Sequence, residues 1–292
     1  MIFEKLSRQS QKAFEPFTAM IYFAPEALNR FKALGMRGRQ SYFCSRSAPL
    51  GRLPGEVVAA TFYNFNPAFV IEQVNSGWEV ATPETVIEER NKAVTEALHR
   101  LLDPAEGEED YSSVVEQALP LVKKATTGLP LPGRALYAAH VPLAWPEEPL
   151  AALWHGVNLL REYRGDGHIV ALMAEGIDGV ESILLQVAFT TRLPLAFLQR
   201  SRAWDNEAIR GGQERLAERD LLRDGILTEK GQALRERIEE ITDRLDTKPF
   251  ENLGAEASQQ LIELVGAMSK RIMARGGLNV GPSTGAAKPN PA

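Results

Sequence analysis

The sequence predicts a mainly α protein in two like halves, joined near residue 147. Three observations predict it. First, apolar residues recur at helical spacing behind clear start signals. In Thr82-Pro83-Glu84 the threonine caps, the proline suits the first turn and the acid faces the helix dipole, and Ile87, Val94, Leu98 and Leu101 follow on one face. Second, the chain echoes itself. Arg46 in the stretch 42–51 and Arg164 in the stretch 161–168 stand 118 positions apart, and Leu101-Leu102 returns 120 positions later as Leu221-Leu222. Each leucine pair closes an acid-rich stretch that begins shortly after Trp78 or Trp204, and a near-constant offset points to an internal duplication. Third, Trp145-Pro-Glu-Glu-Pro149 is short, acidic and proline-rich, which marks the boundary.

Taken in order, residues 1–23 read as a mixed entry segment. Pro25-Glu26 opens a helix carrying Leu28, Phe31 and Leu34, with Gly35 as its stop. Pro49, Gly51, Pro54 and Gly55 break the chain into a loop. Val57–Tyr63 is rich in Val, Ala and Phe, and its period does not separate helix from strand; the helical surroundings favour helix. A helix over 82–102, an acidic loop over 104–110 and a helix over 112–125 follow. The second half opens with a helix over 149–163, ended by Gly165 and Gly167, and continues with helices over 169–175 and 180–190. Asp205 caps a helix bearing Ile209, Leu216 and Leu221. Helices over 230–245 and 255–274 close the fold, and 276–292 reads as a disordered tail.

The chain has 292 residues, 44% of them hydrophobic and 24% charged, the profile of a globular protein with room for two domains. A net charge of −5 gives no global attraction to nucleic acid or to an anionic membrane. The single Cys44 excludes an intrachain disulfide and a cysteine zinc cluster. The first residues lack a signal-peptide pattern, and no apolar run of about 18 residues exists to span a membrane. These features point to the cytoplasm.

The stretch Leu216–Arg237 resembles the back of a winged-helix domain of the MarR type. Leu221-Leu222 supplies the apolar pair that ends a helix, Asp224-Gly225 the tight turn of a wing, and Leu227-Thr228-Glu229-Lys230-Gly231 the motif that opens the next helix. More broadly the chain resembles an uncharacterised actinobacterial helix-turn-helix-like family. The residues that carry this are Tyr42-Phe43, Arg46, Pro49-Leu50-Gly51, Trp154-His155 and Leu160–His168. The resemblance implies two winged-helix-like halves with short β-wings, over 1–147 and 148–275, and no established activity. Charge argues against DNA reading. Asp205–Asp224 holds six acids and four arginines, and Thr82–Asp103 five acids and three bases, so both candidate recognition stretches are net acidic. Nucleic acid is therefore disfavoured as a partner.

The expected site gathers Arg46, His155, Arg161, Arg164 and His168 as donors, with Tyr42, Tyr63 and Trp154 as aromatic walls, in a cleft between the halves. Arg161 and Arg164 are three apart and share a helix face. Guanidiniums beside aromatic rings clamp carboxylates and phosphates. The expected function is thus small-molecule binding, with a regulatory role open. The structural alternative has Arg164 and Asp166 capping a helix end and Arg46 holding loop carbonyls. An enzyme with His155 or His168 as acid–base is a second class, and a MarR-like DNA-binding regulator a third. The four histidines lack paired zinc-ligand spacing, so no metal is expected, and a haem on His155 or His168 is the one cofactor left open. Cys44 reads as a buried filler. Composition says nothing about oligomeric state.

Overall fold

The computed structural model describes residues 1–105, 110–189 and 194–278, and almost all of its regular structure is helical. The chain runs α1 (Ile2–Ala19), α2 (Pro25–Ala33), α3 (Gln40–Ser47), α4 (Gly55–Thr61), α5 (Pro67–Val80), α6 (Pro83–Leu102), α7 (Ser112–Ala125), α8 (Ala135–His140) and α9 (Pro149–Ala174). It continues with α10 (Gly179–Phe189), α11 (Leu195–Arg202), α12 (Asn206–Glu218), β1 (Leu222–Arg223), β2 (Ile226–Leu227), α13 (Glu229–Leu245), α14 (Lys248–Leu253) and α15 (Ala255–Ala274). Among the described residues no helix is long and apolar enough to cross a membrane.

Local chemistry explains several starts. Thr82 accepts from the Thr85 N–H, Asp205 from Ala208 and Thr228 from Gly231, so α6, α12 and α13 begin on side-chain caps. Glu148 accepts from Leu150 and Ala151 and launches α9 with Pro149 at its first position. Between β1 and β2, Asp224 and Gly225 both take positive φ (52° and 77°), the geometry of a two-residue hairpin turn. Gly231, the last residue of the Leu-Thr-x-x-Gly motif, packs against the Leu221 carbonyl so closely that no Cβ fits.

Two expectations need correction. Residues 2–19 form an 18-residue helix, not a mixed segment; its buried face mixes Leu6, Phe14 and Phe17 with Ser7, Ser10 and Thr18, which blurs the apolar period. Gly165 and Gly167 do not end α9, which runs unbroken for 26 residues, about 39 Å at the usual rise. A Cβ on Gly167 would lie 2.7 Å from the Arg134 guanidinium and 3.4 Å from Leu245, so this glycine admits a neighbour rather than stopping the helix. The stop is Gly176, at φ +63°. The tail from Gly276 falls outside the described residues beyond Leu278.

Buried apolar side chains form two clusters. The larger joins α1–α7 and the first half of α9 to α14 and α15, through Phe17, Met20, Phe43, Leu98, Leu153, Phe250 and Val265 among others. The smaller is built from the end of α9 and from α10–α13, around Ile183, Leu185, Leu216 and Leu227. Helix α9 therefore belongs to both, and the clusters part within it rather than at residue 147. The α10–α13 segment, with its β1–β2 wing, is the one sheet-bearing unit among the described residues. Arg46 stands in the last turn of the eight-residue α3 and Arg164 in the middle of α9, so the sequence echo lands on helices of very different length.

Candidate functional site

The order α11, turn, α12, β1–β2 hairpin, α13 makes α12 the second helix of a helix-turn-helix, the recognition position. Two features set the accessibility of α12. The turn before it is clasped by the loop between α4 and α5. Asn66 donates its N–H to the Arg202 carbonyl (2.9 Å) and its side-chain amide to the Ala203 carbonyl (3.0 Å). The Trp204 indole donates to the Asn64 carbonyl (3.1 Å). The start of α12, the end that reads bases in helix-turn-helix proteins, thus begins beside the larger body. Its solvent face carries Glu207, Glu214 and Glu218 with Arg210. Arg215 turns back to Asp178 (2.6 Å) and Glu181 (3.0 Å), and Arg219 donates to the carbonyls of Gly176 and Glu175.

A second constellation lies where α1, α3, α9 and α11 meet. Glu162, with a side chain only 2% exposed, accepts from Arg46 on both oxygens (3.2 and 2.7 Å) and lies 3.3 Å from Arg161. Arg161 grips Glu15 with two further bonds (3.0 and 3.1 Å). Aromatic rings enclose these charges. The Arg46 guanidinium lies 4.8 Å from the Phe62 ring centre, Arg161 5.8 Å from Tyr22, and Arg202 4.3 Å from Phe65. Tyr22 and Tyr42 meet edge to face at 4.9 Å, and Arg46 donates to the Tyr42 hydroxyl (3.2 Å). Arg46, Arg161, Glu15, Tyr22 and Tyr42 each keep part of their surface open, so solvent reaches this ring-enclosed cluster, termed the recess.

Electrostatics in the recess favour negative charge. Burial works to raise the Glu162 carboxyl, but Arg46 and Arg161 outweigh it and hold the group at about 2. Burial likewise works to raise the Tyr42 phenol, and Arg46, Arg202 and Arg161 still bring it below its ordinary value. Arg46 and Arg161 face Glu15 and Glu162, and Arg202 stands beside Tyr42 and Arg46 with no carboxylate paired to it among the described residues. The Arg202 Nε is buried with no hydrogen-bond partner among the described residues.

The structure brings Tyr42, Arg46 and Arg161 together and sends the other expected site residues elsewhere. Arg164 turns to α13 and α1, pairing with Asp243 (3.0 Å) and Glu239 (3.2 Å) and donating to the Ser7 hydroxyl (3.1 Å). His168 meets the Thr242 hydroxyl (3.0 Å) on the same side. The Tyr63 hydroxyl donates to the Ile177 carbonyl (2.6 Å) where the body meets the winged-helix unit. Trp154 and His155 are buried near Arg90, and the His155 ring stands 5.0 Å from that of Trp145. Burial, then Arg90, lowers His155 to about 4, and burial lowers His168, so both rings are neutral at pH 7. Arg164 and Asp166 do not end α9, which continues past them; Asp166 instead caps the start of α8 by accepting the Tyr137 N–H (2.9 Å), and Arg164 pairs elsewhere. Arg46 binds a carboxylate rather than loop carbonyls. Cys44 is fully buried, and burial pushes its thiol up to about 12.

Residue-by-residue reading of the sequence missed Glu15, Tyr22, Glu162 and Arg202. Glu162 carries a signal in hindsight: it is an acid on a helix whose neighbouring faces are apolar. Glu15 and Arg202 carry none, since their partners lie far away along the chain.

Residues 7–279 match a family described as the Helix-turn-helix family. The chain belongs to it. The match spans both the larger body and the winged-helix unit, so the recess lies wholly within the family's extent. No curated protein and no solved structure matches the chain.

Proposed function

We propose that this helix-turn-helix family member binds a small anionic molecule in the recess formed by Tyr22, Tyr42, Arg46, Arg161 and Arg202. One observation carries the reading: Arg46 and Arg161 use up the two carboxylates among aromatic walls, while Arg202 beside Tyr42 and Arg46 has none and its Nε is buried without a partner among the described residues. Proteins pair nearly all of their buried polar groups, and an uncompensated buried charge is costly. A carboxylate or phosphate supplies both the missing charge and the missing acceptor. Arg202 closes α11, so an occupant would touch the winged-helix unit and the body together, which suits a regulatory role. The cytoplasm fits the lone, buried Cys44.

The test is calorimetric titration of inorganic phosphate, succinate and benzoate into the full chain and into Arg202→Met. That variant keeps the packing on Phe65 and leaves no carboxylate unpaired. The expected result is binding of at least one probe, weakened tenfold or more by the substitution. If none of the probes binds the wild-type chain, the reading fails.

The second reading is a DNA-binding regulator of the MarR type, favoured by the α11–α12–wing order. The acidic face of α12 and the clasped turn before it weigh against it. A gel shift at low salt that disappears at high salt would establish it.

A further inference from the structure

Arg90, on α6, is a buried guanidinium outside that recess. It is 3% exposed, and the hydrogen bonds it makes are to neutral groups: the Ser45 carbonyl (2.8 Å) and His140 Nε2 (3.3 Å). His140 is neutral in this arrangement. Its Nδ1 lies 2.8 Å from the Leu136 carbonyl, an acceptor, so Nδ1 carries the proton and Nε2 offers its lone pair to Arg90. Burial and then Arg90 itself keep the ring uncharged, with a pKa of about 3. The carboxylate whose field reaches Arg90 is Glu162, and that group is already shared by Arg46 and Arg161.

The surroundings carry further unmet polar groups. Among the described residues Arg90 Nε, Trp154 Nε1, His155 Nε2 and Asn158 Oδ1 are buried with no hydrogen-bond partner. All four residues are 4% exposed or less. Trp154 and Asn158 lie one turn apart on the same face of α9, and the Arg90 guanidinium is 5.9 Å from the Trp154 ring centre. Arg90 and Trp154 bring fixed donors. His155 presents a donor or an acceptor by tautomer, and the Asn158 amide presents its NH2 when turned over. A cavity of about 210 Å³, lined by Asn91, Lys92, Val94, Thr95, Pro146, Ala151 and Trp154, shares the Trp154 wall and opens toward solvent.

We infer that Arg90 holds a small monovalent anion, of halide or formate size, in the interior between α3, α6, α8 and α9. The ion balances a buried guanidinium whose hydrogen bonds go to neutral groups, and it accepts from Arg90 Nε and the Trp154 indole. Its exchange route is the cavity behind Trp154. The site is distinct from the recess in its partners: Arg90 bonds the Ser45 carbonyl and His140, whereas Arg46 and Arg161 bond Glu162. An ion here would fix α6 against α9 and so support the wall from which the recess is built.

The experiment is diffraction from crystals of the full chain soaked in sodium bromide, with data collected at the bromine edge. The expected result is an anomalous peak within hydrogen-bond distance of Arg90 Nε. In solution, formate titrated into the wild-type chain should bind, and Arg90→Met should lose that binding tenfold or more. Ordered water without anomalous signal at that position would overturn the inference, and it needs no variant to fold. Arg202→Met should leave the peak in place, which separates this site from the recess. A peak lost in Arg202→Met would assign the ion to the recess and overturn the inference as well.

Discussion

Arg161 and Arg164 sit three residues apart on one helix and reach the same helix α1, yet they enter opposite environments. Arg161 and Arg46 bind two carboxylates, Glu15 and Glu162, with Arg202 beside Arg46. Arg164 joins Arg8 and Arg235 against Glu236, Glu239 and Asp243, with Asp246 held by Ser7 beside them. The first site has cations to spare and the second has acids to spare. The acid surplus relieves itself internally: burial raises Asp246 to about 7, so part of it carries a proton. A guanidinium has no such escape, because it stays charged at any ordinary pH. A surplus of arginines therefore calls for an anion from outside, and a surplus of aspartates does not. This difference, and not the number of arginines, singles out the recess.

The largest effect that would break the comparison is expected at Glu162. Replacing it with alanine strands Arg46 and leaves Arg161 with Glu15 alone, and should cost about 3–5 kcal/mol in urea unfolding. A loss below about 1 kcal/mol would mean that the recess is solvated well enough to need no internal carboxylate. The next contrast sets Arg164→Met against Arg202→Met. The first leaves Asp243 short of a cation and should cost roughly 2–3 kcal/mol. The second removes a surplus charge and should stay within about 1 kcal/mol of wild type when no anion is present. Equal losses in the two variants would erase the distinction drawn between the sites.

A smaller effect concerns pH. The folded-state pKa of Asp246 is raised above its unfolded value, so its contribution is full below about 4 and is lost as pH rises through about 7. Asp246→Asn removes that loss. Measured by urea midpoints, the variant should gain on wild type between pH 4 and 7, by about 1–3 kcal/mol, and then hold a constant lead. Histidines that titrate in the same window affect both proteins alike and cancel in the difference. A lead that does not change with pH would show that Asp246 is ionised throughout.

What was legible in the sequence was local. Thr228 and Gly231, Asp224-Gly225 and Asp205 each act through the backbone within a few residues, so the wing, α12 and α13 could be read in order. Helix α1 could not, because small polar residues share its buried face: Ser7 finds a distant partner in Asp246, and Ser10 and Thr18 bond carbonyls of their own helix. Gly165 and Gly167 misled because a glycine that admits a neighbour looks the same in sequence as one that stops a helix. Of the expected site, Tyr42, Arg46 and Arg161 did converge, since guanidinium and aromatic groups favour each other wherever they meet. Their carboxylates did not show, because Arg46 and Glu162 are 116 residues apart and Arg161 and Glu15 are 146 apart.

The sequence by itself determined the helical class, the caps and turns of the winged-helix unit, and the acidic character of α12, since these depend on short spacings and on composition. Only the tertiary structure decided which arginines are satisfied and which are not. That choice depends on the count of charges brought within a few ångströms of one another, and the count exists only once α1, α3, α9, α11 and α13 have packed.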